Sequence, residues 1–274
     1  MTFNVAINLK GRAVVNIKRR KRYLGLAALM AAACAVIGAS QAAGSSAANI
    51  TITEEDYFNT PGQVAALALY SKQFEAAHPG VTITPNFGAS SALATGITQG
   101  QPADVFASAS QTTMDAVIKA GGAASSTPFA RNVGEIAVPA ANPASIASVN
   151  DLAKQGVKVA VCQAQVPCGG IATKVFANAK ITVTPVSQEA DVKAVLTKVS
   201  LGEVDAGIVY LTDVKSAGDK VKGIEIPAEV NASTTYPIAA LTKAANPAAA
   251  QAFVAYVLSP EGMAVLKAGG FASP

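Results

Sequence analysis

Short runs of β-branched residues alternate with longer alanine-rich stretches, and this alternation most limits what the chain can fold into. After a Gly/Ser/Ala segment at residues 43–48, runs rich in Val, Ile and Thr recur between stretches with helical spacing. Strands that alternate with helices are typical of an α/β fold. The 274 residues, 51% of them hydrophobic, are enough to bury a substantial core.

The alternation predicts eight strands and eight helices. The predicted strands are Asn49–Thr53, Val81–Phe87, Val105–Ser108, Glu135–Pro139, Val157–Cys162, Ile181–Val186, Ala206–Tyr210 and Tyr236–Leu241. The predicted helices are Pro61–Ala77, Ser91–Gln99, Thr112–Ala120, Val149–Lys154, Gly169–Ala177, Glu189–Ser200, Pro247–Leu258 and Pro260–Ala268.

The predicted strand and helix units are too many for one regular sheet. Two lobes are therefore expected, each a mixed sheet flanked by helices. The first lobe is expected to comprise residues 49–131 and 239–274, and the second to comprise residues 132–238. The chain would cross between the lobes twice, near Arg131–Pro139 and Ser233–Ile238. Two such connections form a hinge.

The first 42 residues have the pattern of a secretory signal. Seven basic residues lie between Lys10 and Arg22, and the run Leu24–Ile37 is apolar or small. This run is shorter than the ~20 residues that a membrane span needs. Cleavage after Ala42 fits the small-x-small preference and leaves residues 43–48 as a linker. Much of the formal charge of +4 is lost with the signal, so charge gives no argument for a nucleic-acid partner.

The cysteines indicate an exported protein with one disulfide. Cys34 ends the apolar run, where it is either removed with the signal or becomes the lipid attachment point of a lipoprotein anchored at the cell surface. Cys162 and Cys168 remain, and an oxidising compartment favours a disulfide between them. This bond would stabilise the fold by about 2 kcal/mol and stiffen the loop. A metal site needs further ligands, and His78 is the only histidine.

The sequence lacks a convergent set of catalytic groups, so no enzyme is predicted. One histidine offers no Ser-His or Cys-His pair, and neither a Walker pattern nor a Gly-x-Gly-x-x-Gly motif follows a strand. The acidic run Glu54, Glu55 and Asp56 is a solvated turn, an acid/base pair or a cation site. Binding without turnover is therefore predicted, and a secreted esterase acting through Ser90 or a surface interaction protein is the alternative.

Uncharged hydrogen-bond donors follow several predicted strands. Ser90 and Ser91 open a helix without charged residues, where the leading N–H groups and the helix dipole attract anions. Ser90 can equally be an ordinary N-cap. Further donors stand at Thr60, at residues 167–170 and at Tyr210. Ligands of open α/β sheets bind at the carboxyl ends of strands, so these loops are expected to face one cleft.

The segments Phe87–Leu93 and Gln99–Ala109 resemble the periplasmic molybdate-binding proteins of bacterial ABC importers. Four further matches are Val166–Gly169, Asp191–Val192, Asp205–Tyr210 and Gly269–Phe271. The resemblance implies a two-lobed type II periplasmic-binding-protein fold that holds a tetrahedral oxyanion, molybdate or tungstate, between its lobes. It also implies an ABC permease as partner and no cofactor, and we expect a monomer.

The resemblance assigns four anion ligands by matching position. Ser90 would donate its hydroxyl and amide, Cys168 and Val192 their main-chain amides, and Tyr210 its phenol. Ser91 is a further candidate donor.

One family ligand has no match in this chain. The first strand of the family normally runs into an Ala-Ala-Ala-Ser-Leu segment whose serine contacts the anion, whereas residues 54–62 differ. Thr60 is the candidate replacement, with Asn59 behind it. Three carboxylates near a dianion would each cost roughly 3 kcal/mol at 5 Å and an effective dielectric of 20, so they are expected to point outward. Residues 54–62 resemble sugar-binding proteins instead, although a chain without tryptophan supplies a sugar cleft poorly.

Overall fold

A computed structural model describes residues 6–7, 13–14, 48–55 and 71–274. Contacts divide the chain into two units, Met1–Ala42 and Ala43–Pro274. In the first unit, β1 (Ala6–Ile7) pairs antiparallel with β2 (Ala13–Val14). Most of the predicted signal segment lies outside the described residues, as do Cys34, Asp56, Asn59 and Thr60.

The second unit contains the strands and helices that matter for function. Its described strands are β3 (Ala48–Glu55), β4 (Val81–Gly88), β5 (Val105–Ala107), β6 (Thr127–Pro139), β7 (Val159–Cys162), β8 (Ser187–Glu189), β9 (Ala206–Tyr210), β10 (Val221–Ile224) and β11 (Ser233–Ala240). Its helices are α1 (described over residues 71–77), α2 (Ser90–Thr98), α3 (Gln111–Lys119), α4 (Pro167–Ala179), α5 (Val192–Ser200), α6 (Leu211–Ala217), α7 (Pro247–Val257) and α8 (Pro260–Ala268). Short 3₁₀ turns cover Val149–Ala153 and Gly218–Lys220.

The strands form a mixed sheet in the order β4-β3-β5-β11-β6-β9-β7-β8, with β10 paired to β6. Strands β3, β4 and β5 are parallel, and so are β7, β8 and β9. The two strands in the middle, β11 and β6, run antiparallel to their neighbours β5 and β9. The prediction of an α/β protein with mixed sheets flanked by helices is confirmed.

Strand β6 changes partners along its length. Residues 127–133 pair with β11, whereas residues 134–139 pair with β9 and β10. Strand β11 changes partners as well, from β6 to β5, and its pairing with β6 is irregular at Pro237. Proline has no N–H for the ladder, so it is found where regular pairing is interrupted. The two changes fall where the sequence predicts chain crossings, and the division into two lobes at these points stays a prediction.

Burial explains why these segments are strands and helices. Every residue of β5, β7 and β9 is buried, as expected for strands with both faces covered. On α5, the buried residues recur at the spacing of one helix face and are Val192, Val195, Leu196 and Val199. One apolar core joins this face to α4 and to the sheet. A smaller apolar cluster lies around α2 and α3.

One predicted strand is wrong. Residues 181–186 have no strand structure, and the strand of this region is β8, at 187–189. Pro185 cannot donate to a ladder, and alternate side chains of the segment are exposed, so its β-branched residues do not make it a strand.

Other predicted boundaries shift. Helix α5 begins at Val192 instead of Glu189, because the Asp191 side chain caps it, accepting a 2.7 Å bond from the Ala194 amide. Strand β6 begins eight residues before the predicted Glu135, and β3 extends through Glu54 and Glu55, which were expected to follow it. Helix α6 and strand β10 are not among the predicted elements.

The terminal helices α7 and α8 are apolar in composition. Among the described residues, no single helix is long and apolar enough to cross a membrane, and these two satisfy that test only as a pair bent by 61°. Their apolar residues Phe253, Val257 and Leu266 are buried in the core of the second unit. The composition of the pair is therefore explained by packing.

Candidate functional site

The sheet contains two sets of parallel strands, β3 to β5 and β7 to β9, and the carboxyl ends of the two sets face each other. We call these ends the two carboxyl edges. Strand β11 is antiparallel to β5, and its residues 233–237 continue past the carboxyl end of β5. Likewise, residues 127–133 of β6 continue past the carboxyl end of β9. These two extensions pair with each other, so β5 and β9 point toward each other along a two-stranded ribbon. The helices that follow the parallel strands therefore begin on either side of this ribbon.

Helix α2 begins at Ser90 without a side-chain cap. Its N-cap residue is Ala89, so the interpretation of Ser90 as an ordinary N-cap is wrong. The amides of Ser90 and Ser91 are the leading N–H groups of α2, at the positive end of the helix dipole. The Ser90 side chain is buried, whereas that of Ser91 is partly exposed.

The Ser90 hydroxyl is held by the loop between β5 and α3. Its oxygen accepts a 3.0 Å bond from the buried amide of Ala109. The carbonyl of Ala109 in turn accepts a 2.6 Å bond from the Thr234 hydroxyl on β11. Ser90 is thus fixed relative to the central ribbon through a single intervening residue.

Helix α4 also begins without a side-chain cap. Its N-cap is Val166 and its first residue is Pro167, which has no N–H. The amides of Cys168 and Gly169 are therefore the first donors of this helix. Cys168 is buried and bonded to Cys162 with an S–S distance of 2.02 Å, which confirms the predicted disulfide.

Helix α5 begins beside α4, on the neighbouring strand. Asp191 uses its side chain on the Ala194 amide, so the amide of the buried Val192 remains as the leading donor. The two helix starts are joined by a main-chain bond of 2.8 Å from Gln163 N, just after β7, to Glu189 O, at the end of β8.

Tyr210 ends β9 and is fully buried. Its ring packs at 66° against Tyr236 of β11, with 6.1 Å between ring centroids. The Tyr236 ring also makes edge contacts with Phe129 and Phe271. This aromatic cluster ties the end of β9 to the ribbon and to the C-terminal segment.

A buried polar group beside Tyr210 was missed by the sequence analysis. The amide of Asn132 donates to the Thr212 hydroxyl at 2.8 Å and lies 3.4 Å from the Tyr236 hydroxyl. The buried Asp213 carboxylate accepts a 2.8 Å bond from Tyr210 N. The sequence signal for this group is the polar pair Thr212-Asp213, which follows the buried strand β9 after one further residue, Leu211.

Burial raises the pKa of Asp213 to about 7, and the bond from Tyr210 N only partly offsets this rise. The cause is that a carboxylate loses its hydration when it is taken out of water. Asp213 therefore changes charge near neutral pH, and it directly follows Thr212, whose hydroxyl accepts from Asn132.

Two ion pairs occur among the described residues. They are Lys154–Asp151 at 2.6 Å and Lys198–Glu189 at 2.9 Å. Lys198 is six residues after Val192, about 9 Å along the axis of α5.

A cavity of about 460 Å³ is lined by Glu135 and Glu225, and burial together with Glu225 raises the pKa of Glu135. Two carboxyl groups make this cavity unsuitable for an anion.

The described residues contain no group of three or more His, Cys, Asp and Glu side chains that could hold a metal ion. Of the predicted ligands, the structure brings Ser90, Cys168, Val192 and Tyr210 to the two carboxyl edges that share the ribbon. Their roles as ligands stay predictions. Thr60 and Asn59 lie outside the described residues.

Two facing carboxyl edges, a pair of strands crossing between them and helix starts rich in neutral donors define a solute-binding protein of the type II class. The chain belongs to the bacterial extracellular solute-binding proteins, a family that matches residues 58–272.

The similarity extends to particular proteins. The molybdate-binding protein ModA of Mycobacterium tuberculosis is 42% identical over 211 residues, which cover 77% of this chain and 81% of that protein. The periplasmic molybdate-binding protein of Azotobacter vinelandii superposes with a TM-score of 0.70 at 20% identity, covering 82% of this chain and 99% of that one. The sulfate-binding protein SubI of M. tuberculosis gives 0.71 at 18% identity, with 82% and 87% covered. At these identities the two structures show the fold alone.

Proposed function

We propose that the protein captures molybdate or tungstate outside the cytoplasm and delivers it to an ABC permease. The observation that carries the proposal is the pair of apolar N-caps, Ala89 and Val166, on helices that begin at the facing carboxyl edges. Helices usually carry Ser, Thr, Asp or Asn there to accept their leading N–H groups. Without such a side chain, the leading amides can donate to an anion instead.

The chemistry of the donors fits an oxyanion. Molybdate and tungstate are dianions at neutral pH and offer only acceptor oxygens. The amides of Cys168 and Val192, together with the hydroxyl and amide of Ser90, are neutral donors, and each of their helices contributes the positive end of its dipole. The Tyr210 phenol would complete the set from the end of β9. The likeness to ModA of M. tuberculosis supports the same ligand class.

Selectivity over sulfate would depend on the size of the site. Sulfate carries the same charge on a smaller tetrahedron, so donors spaced for molybdate would not all reach its oxygens. The Asp191 carboxylate at the start of α5 repels molybdate and sulfate alike, because the two anions carry the same charge. It therefore does not contribute to selectivity between them. A sugar would need acceptors as well as donors, and the uncapped helix starts offer donors alone.

The remaining parts of the proposal follow from this role. The protein would act without turnover, as a monomer, and would carry molybdate as cargo instead of a cofactor. Residues 1–42 would direct export, with Cys34 as the lipid attachment point if the protein is anchored. Thr60, with Asn59 behind it, would supply the donor that the family draws from its first strand, and Ser91 would be an accessory donor.

Calorimetry with the purified exported protein tests the proposal. We expect micromolar or tighter binding of molybdate and tungstate, and binding of sulfate at least tenfold weaker. Glucose and maltose serve as neutral controls and should give no heat. No heat with any of the three oxyanions would overturn the proposal, and binding of a sugar alone would establish the alternative. Mass spectrometry of ligand retained by natively purified protein identifies the physiological solute.

A further inference from the structure

We infer that Gly169 is a positioning residue for the oxyanion, and that it acts through the loop that joins the starts of α4 and α5. The inference rests on the proposed function and gives Gly169 a role beyond that of its own amide, which is one of the first donors of α4. Its basis is the close approach of main chain to the α-carbon of Gly169.

The loop after β7 folds back onto this glycine. A Cβ atom at Gly169 would overlap the carbonyl oxygen of Gln163 and lie 2.8 Å from the carbonyl oxygen of Cys162. Both obstacles are main chain, so they cannot move aside as a flexible side chain would. Only glycine allows the loop to lie this close to the first turn of α4.

The Gln163 carbonyl, which lies close to Gly169, has a second role. Gln163 O accepts a 2.9 Å bond from Val166 N, the N-cap of α4. The amide of the same Gln163 donates at 2.8 Å to Glu189 O, two residues before the N-cap of α5. One residue therefore contacts the start of α4 with its carbonyl and the approach to α5 with its amide.

The far side of this connection is also fixed. The Glu189 carboxylate accepts a bond from the Ser187 hydroxyl and forms an ion pair with Lys198 at 2.9 Å. The bond from Ser187 and then the contact with Lys198 lower the pKa of Glu189. Strand β8 and the last turn of α5 are thereby held together. The amides of Cys168 and Val192 consequently belong to one connected unit, and a displaced Gln163 would move both.

The disulfide does not replace the glycine. It holds the α-carbons of Cys162 and Cys168 at 5.6 Å but leaves the orientation of the Gln163 peptide unset. Anion sites depend on donor positions to within about 0.5 Å. A methyl group at residue 169 would push the Gln163 carbonyl away by more than this.

Gly170 provides a matched control. It is the next residue of α4, and its amide already donates to Val166 O at 3.1 Å, so the structure removes it from the donors predicted at residues 167–170. A Cβ built on Gly170 meets no heavy atom within 4 Å beyond its own helix and chain neighbours. Both glycine-to-alanine changes restrict the unfolded chain in the same way. A difference between the two variants therefore reports the close approach at Gly169.

The experiment compares the full-length chain with its Gly169→Ala and Gly170→Ala variants. Molybdate affinity is measured by calorimetry, folding by thermal unfolding, and the disulfide by mass after alkylation. We expect Gly170→Ala to bind within twofold of the parent and Gly169→Ala to bind at least tenfold more weakly while retaining the disulfide. Amide NMR of Gly169→Ala should show a shifted Val192 resonance, which a purely local effect on α4 would not produce.

The outcomes separate the inference from the function on which it rests. If the parent chain binds no oxyanion, the proposed function fails. If the parent binds and Gly169→Ala binds within twofold of it, the inference about Gly169 is overturned. Should Gly169→Ala not fold, hydrogen exchange of the parent decides: molybdate is expected to slow exchange at residues 162–166 and 189–192 together. Protection confined to one of the two segments would contradict a connected unit.

Discussion

Ser90 illustrates how one residue can serve both folding and binding. Its oxygen accepts from the buried Ala109 amide, and its own amide leads an uncapped helix. The sequence indicated a serine at a helix start but not the partner 19 residues away. Ala109 lies in the next βα loop, after β5, and β4 and β5 pair with opposite sides of β3, so the two loops meet only in the folded sheet.

Ser90→Ala is expected to weaken both stability and oxyanion binding. Removing the oxygen leaves the Ala109 amide buried and unsatisfied, which costs about 1–3 kcal/mol of unfolding free energy. Losing a hydrogen bond to a charged ligand should lower affinity roughly tenfold to a hundredfold. Urea titration and calorimetry measure the two effects separately.

Ser91→Ala is the control for Ser90→Ala. Ser91 is partly exposed, and its main-chain carbonyl accepts from the Thr95 hydroxyl. Alanine at residue 91 preserves this main-chain bond. We expect changes of less than about 0.5 kcal/mol in stability. Both substitutions keep the main-chain amides, so an equal loss of affinity would assign the donor role to the two hydroxyls together and not to the Ser90 hydroxyl alone.

The raised pKa of Asp213 predicts that the free energy of unfolding depends on pH. Burial raises its pKa to about 7, so the folded protein keeps a proton that the unfolded chain releases near pH 4. The stabilisation is therefore fully present below pH 4 and is lost as pH rises through 7. At 1.36 kcal/mol per pH unit, this contribution should fall by roughly 2–3 kcal/mol between pH 5 and pH 8.

Asp213→Asn removes this titration while its side-chain oxygen can still accept from Tyr210 N. The variant should therefore lose less stability than the parent over the same pH range, as measured by urea unfolding at pH 5, 6, 7 and 8. Parallel stability profiles for the two proteins would show that Asp213 does not titrate in this range.

At the scale of elements, pattern and length predicted most helices and strands but not their exact ends. The α5 boundary was set by the Asp191 cap, and β8 replaced the predicted strand at 181–186. Local propensity cannot tell which half-exposed run finds a partner strand. That choice depends on the backbone of β7, which pairs with residues 187–189.

The disulfide loop is expected to stabilise the protein chiefly through the unfolded chain. Replacing both Cys162 and Cys168 by serine should lower the unfolding free energy by about 2 kcal/mol, because the closed loop is short. Chemical denaturation of the exported protein measures the loss. Adding dithiothreitol to the double variant should change nothing further, and a variant as stable as the oxidised parent would contradict this account.

At the scale of the whole molecule, we expect the hinge at the two predicted chain crossings, residues 131–139 and 233–238, where β6 and β11 change partners. A ligand that contacts both carboxyl edges would favour a closed state. We expect molybdate to reduce the radius of gyration measured by X-ray scattering and to slow hydrogen exchange at the starts of α2, α4 and α5.

Sulfate at a concentration too low to bind is the control for the scattering experiment, since it adds the same charge to the solvent. A radius of gyration unchanged at saturating molybdate would mean that binding occurs without lobe closure. Such a result would argue against the division at residues 131 and 238 while leaving the donor set intact.

The sequence by itself determined the α/β class, the disulfide pair and the uncharged helix starts, because these depend on local periodicity, on cysteine count and on residues adjacent in the chain. Only the tertiary structure decided that Ala89 occupies the N-cap position of α2 without capping it, that the Ser90 hydroxyl accepts from the Ala109 amide, and that Asn132 contacts Thr212 across 80 residues. It also decided that Gln163 joins two helix starts. These contacts arise from strand register, and register is set by how distant segments bury their apolar faces together, which no local pattern specifies.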